Sequence, residues 1–306
     1  MALDPAILAR LGPLQVRARK VVEGVLAGLH RSPQHGQSVE FAEHKEYAPG
    51  DEIKHIDWRA YAKSDRYTVK RYEMESNLRA VIVVDGSGSM GFGRGALKKL
   101  DYANICAGAL SVLLSRQGDQ VALMVAGSPE PRGEKLPAGV RSFHPFGASS
   151  GHTQELLRQL DETRAEGSTQ LASALDFAAE KAGRRAMFVV ISDFFDAAGD
   201  EKGSLSALAR LRSRRHDVLA IQTLDREELD FPFDDPTRFL GMEDGEIEID
   251  AQPRQIRDSY LEELARFLAK VKRELGRADI EYALFPTDQP PDRALLSLLR
   301  KRERAA

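Results

Sequence analysis

From Leu78 onward, short aliphatic and β-branched runs alternate with longer stretches whose apolar positions return every three or four residues. The pattern predicts strands at 80–84, 121–125, 140–143, 187–191, 218–223 and 280–284. Between and after them it predicts helices near 96–116, 152–161, 170–182, 204–213, 254–275 and 292–302. Helix 254–275 has the clearest period: Ile256, Tyr260, Leu264, Phe267, Leu268, Val271 and Leu275 share one face, with Pro253 before them and Gly276 after. Six strands separated by helices imply an α/β fold, a doubly wound, mostly parallel six-stranded sheet covered on both faces. Upstream, Leu14, Val21, Val22, Val25, Leu26 and Leu29 form a one-sided stripe that predicts a helix. Residues 31–77 lose that period. Polar and aromatic residues alternate there with turn signals such as Ala48-Pro49-Gly50-Asp51, predicting short strands and turns. The expected organisation is an N-terminal helix plus β-rich segment (1–77) packed on an α/β domain (78–306).

Composition narrows the function. With 306 residues a large core is available without crosslinks. A net charge of −3 gives no global excess of cations for nucleic acid, and no nucleic-acid partner is expected. The single cysteine, Cys106, excludes an intramolecular disulfide and any multi-thiolate metal site, and reads as a small core residue on a helix. No apolar run approaches the ~20 residues of a membrane-spanning helix. The opening Met1-Ala2-Leu3-Asp4-Pro5 does not resemble a secretory leader, so the expected compartment is the cytoplasm.

The chemistry concentrates where strand 80–84 ends, in Asp85-Gly86-Ser87-Gly88-Ser89. Ligands of open α/β sheets bind beyond the C-terminal strand ends, and two further segments fall at equivalent edges: Gly167-Ser168-Thr169 before a helix, and Ile191-Ser192-Asp193 after a strand. Asp85, Ser87, Ser89, Thr169 and Asp193 make an all-oxygen set that suits a hard divalent cation, Mg2+ before Mn2+ or Ca2+. Hydroxyls would serve as neutral ligands, the carboxylates would act directly or through water, and a partner's Glu or Asp would fill an open position. The competing reading is helix capping, because Ser, Thr and Asp are also the commonest N-caps. Capping accounts for Thr169 or Asp193 taken singly, but one cap needs only one oxygen of the Asp-x-Ser-x-Ser triplet.

Those residues resemble the metal-ion-dependent adhesion site of von Willebrand factor A domains. Phe41-Ala42-Glu43, Tyr47-Ala48-Pro49-Gly50-Asp51, His55-Ile56-Asp57-Trp58-Arg59, Lys70-Arg71-Tyr72-Glu73-Met74-Glu75 and the run from Asp225 to Phe233 resemble the bacterial family called domain of unknown function 58. The resemblance implies a von Willebrand A-like core behind a family-specific β-rich segment. It also implies a non-catalytic adaptor or co-chaperone role beside a MoxR-type AAA+ ATPase, its client, or both. Many relatives carry N-terminal transmembrane helices; no such helix is predicted here.

Rival motifs are weaker. Gly86-x-Gly88-x-x-Gly91 is a literal dinucleotide fingerprint, but the next strand ends in Val125-Ala126-Gly127-Ser128 without the expected acid. The alternative enzyme is a magnesium-dependent phosphoester hydrolase with Asp85 as nucleophile, although Ser87 replaces the usual second aspartate. The seven histidines give no metal cluster, and His30, His35, His44 and His55 fall in different predicted elements. Between 31 and 77, Asp51, Asp57, Glu73 and Glu75 alternate with Lys54, Arg59, Lys63, Arg66, Lys70 and Arg71, predicting ion pairs, with Trp58 as a buried anchor. The insertion 225–250 carries eleven acidic residues against Arg226 and Arg238. A hairpin around Asp244-Gly245 is expected there, either a solvated loop or a docking surface for a basic partner.

Overall fold

The strands that carry the fold alternate strictly. Ile82 and Val84 enter one apolar layer while Val81 and Val83 enter the other. A strand buried on both faces has to be apolar at every position, and Ala80–Val84 is. The computed structural model describes residues 3–30, 44–46, 68–70, 78–127, 136–168, 170–183, 185–198, 203–243 and 247–305. The chain divides into two units: one comprises 1–29 with 78–306, the other 30–77.

In the larger unit, α1 (Pro5–Arg10) and α2 (Leu14–His30) precede β3 (Arg79–Asp85). The chain continues through α3 (Lys99–Arg116), β4 (Gln120–Ala126), β5 (Val140–Gly147), α4 (Ser150–Glu162) and α5 (Leu171–Ala182). Next come β6 (Met187–Ser192), α6 (Ser204–Ser213), β7 (Asp217–Leu224), α7 (Arg226–Asp230), β8 (Thr237–Leu240) and β9 (Glu248–Ala251). It closes with α8 (Pro253–Arg277), β10 (Glu281–Pro286) and α9 (Pro291–Ala305). In the smaller unit β1 (His44–Glu46) and β2 (Thr68–Lys70) pair antiparallel. The expected ion pairs and Trp58 anchor of 31–77 lie outside the described residues.

The main sheet runs β10-β7-β6-β3-β4-β5. Each pair is parallel except the edge pair β4–β5, which is antiparallel with two register shifts. Thus the expected doubly wound, mostly parallel six-stranded α/β sheet is present. Helices α1, α2, α3, α4 and α9 cover one face, and α5, α6 and α8 the other. Helix α3 is central, with Cys106 fully buried among aliphatic neighbours that push its thiol pKa up. Gly108 lets α2 and α4 close on α3: a Cβ there would come 2.8 Å from Leu157 and 3.3 Å from Ala18. On the other side of α2, Arg300 of α9 donates to the Gly28 carbonyl at 2.8 Å.

Chain order reverses at β3: α3 leads outward to β4 on one side, while β6 flanks the other. This is the topological switch point of an open α/β sheet, where adjoining loops part and leave a crevice.

Candidate functional site

At the end of β3 the chain turns sharply through Gly86. A Cβ there would meet Val125 at 2.9 Å and the Ala126 carbonyl at 3.2 Å. The buried Ser87 then donates its backbone N–H to Asp85 Oδ1 at 3.0 Å. A short 3-10 turn, Gly88–Gly91, swings Ser89 round until its hydroxyl lies 3.1 Å from that of Ser87. The alternate spacing of the two serines around this turn brings both oxygens to one spot.

The parallel pairing of Val84 with Ile191 carries β3 and β6 to the rim together. Ser192 follows, its hydroxyl donating to Asp85 Oδ2 at 2.6 Å and accepting from the Phe194 N–H at 2.9 Å. Asp193, also buried, accepts from Phe195 N–H through Oδ1 at 3.1 Å. From a third direction, Gly88 N–H donates to the Gly167 carbonyl at 2.8 Å and Glu166 N–H to the Gly86 carbonyl at 3.0 Å. The loop before α5 is thereby fastened beside the Asp-x-Ser-x-Ser turn. Asp85, Ser87, Ser89 and Asp193 share one rim; Thr169 lies outside the described residues.

Two neighbours of this rim went unsuspected in the sequence. Lys99, on the first turn of α3, is wholly buried and donates to Asp193 Oδ2 at 2.8 Å and to Glu228 Oε1 at 2.7 Å. Burial works against its charge, yet Asp193 and Glu228 more than offset that and hold its pKa above the ordinary lysine value. Its only sequence signal is a lysine beside Lys98 and two residues before Asp101 at a helix start, which reads equally as a solvated residue. Glu228 also caps α7, accepting from Asp225 N–H at 2.8 Å.

Asp85 instead accepts from neutral donors, the Ser87 N–H and the Ser192 hydroxyl. Burial, reinforced by Asp193, pushes its pKa up to about 7 despite the hydrogen bonds from Ser192 and Ser87. Among the described residues no three His, Cys, Asp or Glu side chains converge as a metal-holding group. A cation here would therefore depend on the hydroxyls and on water. The donor chemistry fits: paired hydroxyls beside an under-compensated buried carboxylate suit a hard ion. Both oxygens of Asp85 are engaged and the side chain is sealed from solvent, which disfavours it as a nucleophile.

The acidic insertion bears directly on the rim. Strands β8 and β9 pair antiparallel, and the Met242 backbone lies so close to Gly88 that a Cβ there would stand 1.9 Å from the Met242 carbonyl oxygen. Leu240, Met242, Ile247 and Ile249 of this hairpin are exposed, while its Asp244-Gly245 dipeptide lies outside the described residues. Beside the rim, Phe195, Glu228, Tyr260, Leu264 and Phe267 line a groove of about 480 Å3. Among the described residues no helix is long and apolar enough to cross a membrane.

Uncharacterized proteins of Mycobacterium bovis and Mycobacterium tuberculosis are 26% identical over 306 residues, covering 99% of this chain and 92% of theirs. Among solved structures, the conserved hypothetical protein BatB from Bacteroides thetaiotaomicron is 14% identical with a TM-score of 0.43, covering 74% of this chain and 99% of that one. A von Willebrand factor type A protein from Catenulispora acidiphila is 17% identical with a TM-score of 0.33, covering 52% of this chain and 34% of that one. The model of the family described as protein of unknown function DUF58 matches residues 43–269, most of the chain, and the protein belongs to that family.

Proposed function

We propose that the rim is a divalent-cation-dependent docking site through which this chain binds a carboxylate of a partner protein. Ser87, Ser89 and Thr169 would contribute hydroxyls, and Asp85 and Asp193 charge, directly or through water. Bound Mg2+ would supply a Lewis-acid anchor for an incoming carboxylate oxygen. The chain's own residues do the rest: Ser192 and the Ser87 N–H fix the Asp85 carboxylate, and the Gly167 and Gly86 carbonyls hold the loops together. The observation that carries this reading is the pair of hydroxyls 3.1 Å apart beside the fully buried Asp85 at the switch point of the sheet. The resemblance to DUF58 proteins supports a MoxR-type AAA+ ATPase, or its client, as the partner.

The test is a thermal-denaturation series in Mg2+ for wild type and Asp85→Ala. A ligand held only by the folded state at a hundredfold over its Kd adds about 2.7 kcal/mol, or roughly 5–10 °C for a domain of this size. Wild type is expected to gain that much and Asp85→Ala nothing. A melting temperature indifferent to Mg2+ in both proteins removes the cation from the site. A pull-down with and without chelator then asks whether an AAA+ ATPase is retained only when the ion is present.

A further inference from the structure

Lys99 brings a positive charge to a carboxylate expected to serve the divalent ion. Its ammonium is 2.8 Å from Asp193 Oδ2 and 2.7 Å from Glu228 Oε1. The Phe195 ring stands 4.7 Å away on one side and the Phe92 ring 5.9 Å away on another. Aromatic walls and two anions make this a built cation site, filled from within the chain. The neighbouring Asp193 oxygen is occupied by Phe195 N–H. Asp193 therefore has a countercharge and a fixed orientation before any ion arrives, whereas the buried Asp85 is held by the Ser192 hydroxyl and the Ser87 N–H.

We propose that Lys99 is a tethered counter-cation that competes with the divalent ion for Asp193, setting a weak and reversible metal affinity at the rim. The inference rests on the docking reading above and assigns the two aspartates unequal parts. Asp85 carries the electrostatic attraction for the ion. Asp193 is held by Lys99 and contributes through water. The rim then takes up an ion firmly only when a partner's carboxylate arrives to share it, which couples ion binding to docking. Glu228 tunes the competition by sharing the ammonium: while it does so, Lys99 is divided between two anions rather than committed to Asp193.

Isothermal titration with Mg2+ alone, on the full chain, tests this through a double-mutant cycle of Lys99→Met and Asp193→Asn. Withdrawing a unit charge from roughly 6 Å of a divalent ion at an effective dielectric near 20 corresponds to about ten-thousandfold in affinity before the site relaxes. Lys99→Met is therefore expected to bind Mg2+ at least tenfold more tightly than wild type. The cost of Asp193→Asn is expected to be at least tenfold larger in the Lys99→Met background, a coupling that a merely structural lysine would not produce. Equal or weaker binding by Lys99→Met, or costs that simply add, overturns the proposal. Should Lys99→Met not fold, Glu228→Gln leaves the ammonium wholly to Asp193 and is expected to weaken Mg2+ binding several-fold; unchanged or tighter binding overturns it. If wild type binds Mg2+ and Asp85→Ala does not, a failed cycle rejects the role of Lys99 alone. If no protein in the series binds Mg2+, the docking reading falls and this inference with it.

Discussion

Replacing Ser192 by alanine removes one oxygen that serves two buried partners. The hydroxyl donates to Asp85 Oδ2 at 2.6 Å and accepts from Phe194 N–H at 2.9 Å, and all three residues are buried. Loss of a hydrogen bond to a carboxylate costs about 1.5–3 kcal/mol, and an unsatisfied buried N–H about 1–3 kcal/mol. Because both pass through one atom and the turn can relax, we expect about 3 kcal/mol. The Phe194 backbone adds to the sensitivity, since it holds a left-handed φ of +58°, which a non-glycine residue adopts only when its surroundings impose it. At about 2–4 °C per kcal/mol, the melting temperature should fall by roughly 6–12 °C. Ser111→Ala is the control: this buried hydroxyl donates only to the Ala107 carbonyl of its own helix at 2.9 Å, so its loss should cost under about 1 kcal/mol. Urea denaturation of the three proteins in chelator gives both numbers. Equal losses in Ser192→Ala and Ser111→Ala would refute the idea that the rim is held by a two-partner hydroxyl.

Two other perturbations reach different parts of the molecule. Gly88→Ala drives a methyl group to within 1.9 Å of the Met242 carbonyl oxygen, so the hairpin turn has to move; a loss of about 1–3 kcal/mol and faster amide exchange at 241–243 are expected. Gly95→Ala meets nothing within 4 Å and should stay within about 0.5 kcal/mol of wild type, so matching urea midpoints for the two variants would count against the contact. His216 is buried with Nδ1 accepting from Ala186 N–H at 3.2 Å, and burial, then Arg214, lowers its pKa below the usual value. A depressed folded-state pKa means its contribution is present above the ordinary histidine value of about 6.5 and is lost as pH falls through the lower folded value. Melting temperature should therefore drop on acidification from about pH 6.5, and less steeply in His216→Phe; parallel slopes would exclude His216 as a source.

Much of the fold could be read from periodicity because each element buries a whole face. Helix α6 falls at the expected residues, and α8 exceeds its expected bounds by one residue before and two after. Strand β5 is the instructive departure. The run Val140-Arg141-Ser142-Phe143 predicted a short strand, yet it continues to Gly147 as the antiparallel edge, where half-buried polar residues are tolerated and apolar continuity is not required. Helices α1 and α7 were missed because six and five residues carry too little period to register. At the rim, the Asp-x-Ser-x-Ser spacing announced the local turn, since each hydroxyl lies within two residues of the next. Lys99 and Glu228 stood out less because their partners are 94 and 129 residues away in the chain. Only the tertiary fold turns a helix-start lysine into a buried counter-charge.

The guanidinium of Arg141, on edge strand β5, donates to the carbonyls of Arg164 and Glu166, immediately before the loop reaches Gly167. It passes between two glycines: a Cβ on Gly86 or on Gly127 would stand 3.2 Å from one of its terminal nitrogens. The outermost strand of the sheet thus acts as a mooring post for a loop two strands inward. A slip of β5 by a single position would haul that line to the wrong length and drag Gly167 off Gly88, leaving every residue of the rim intact and its aim spoiled.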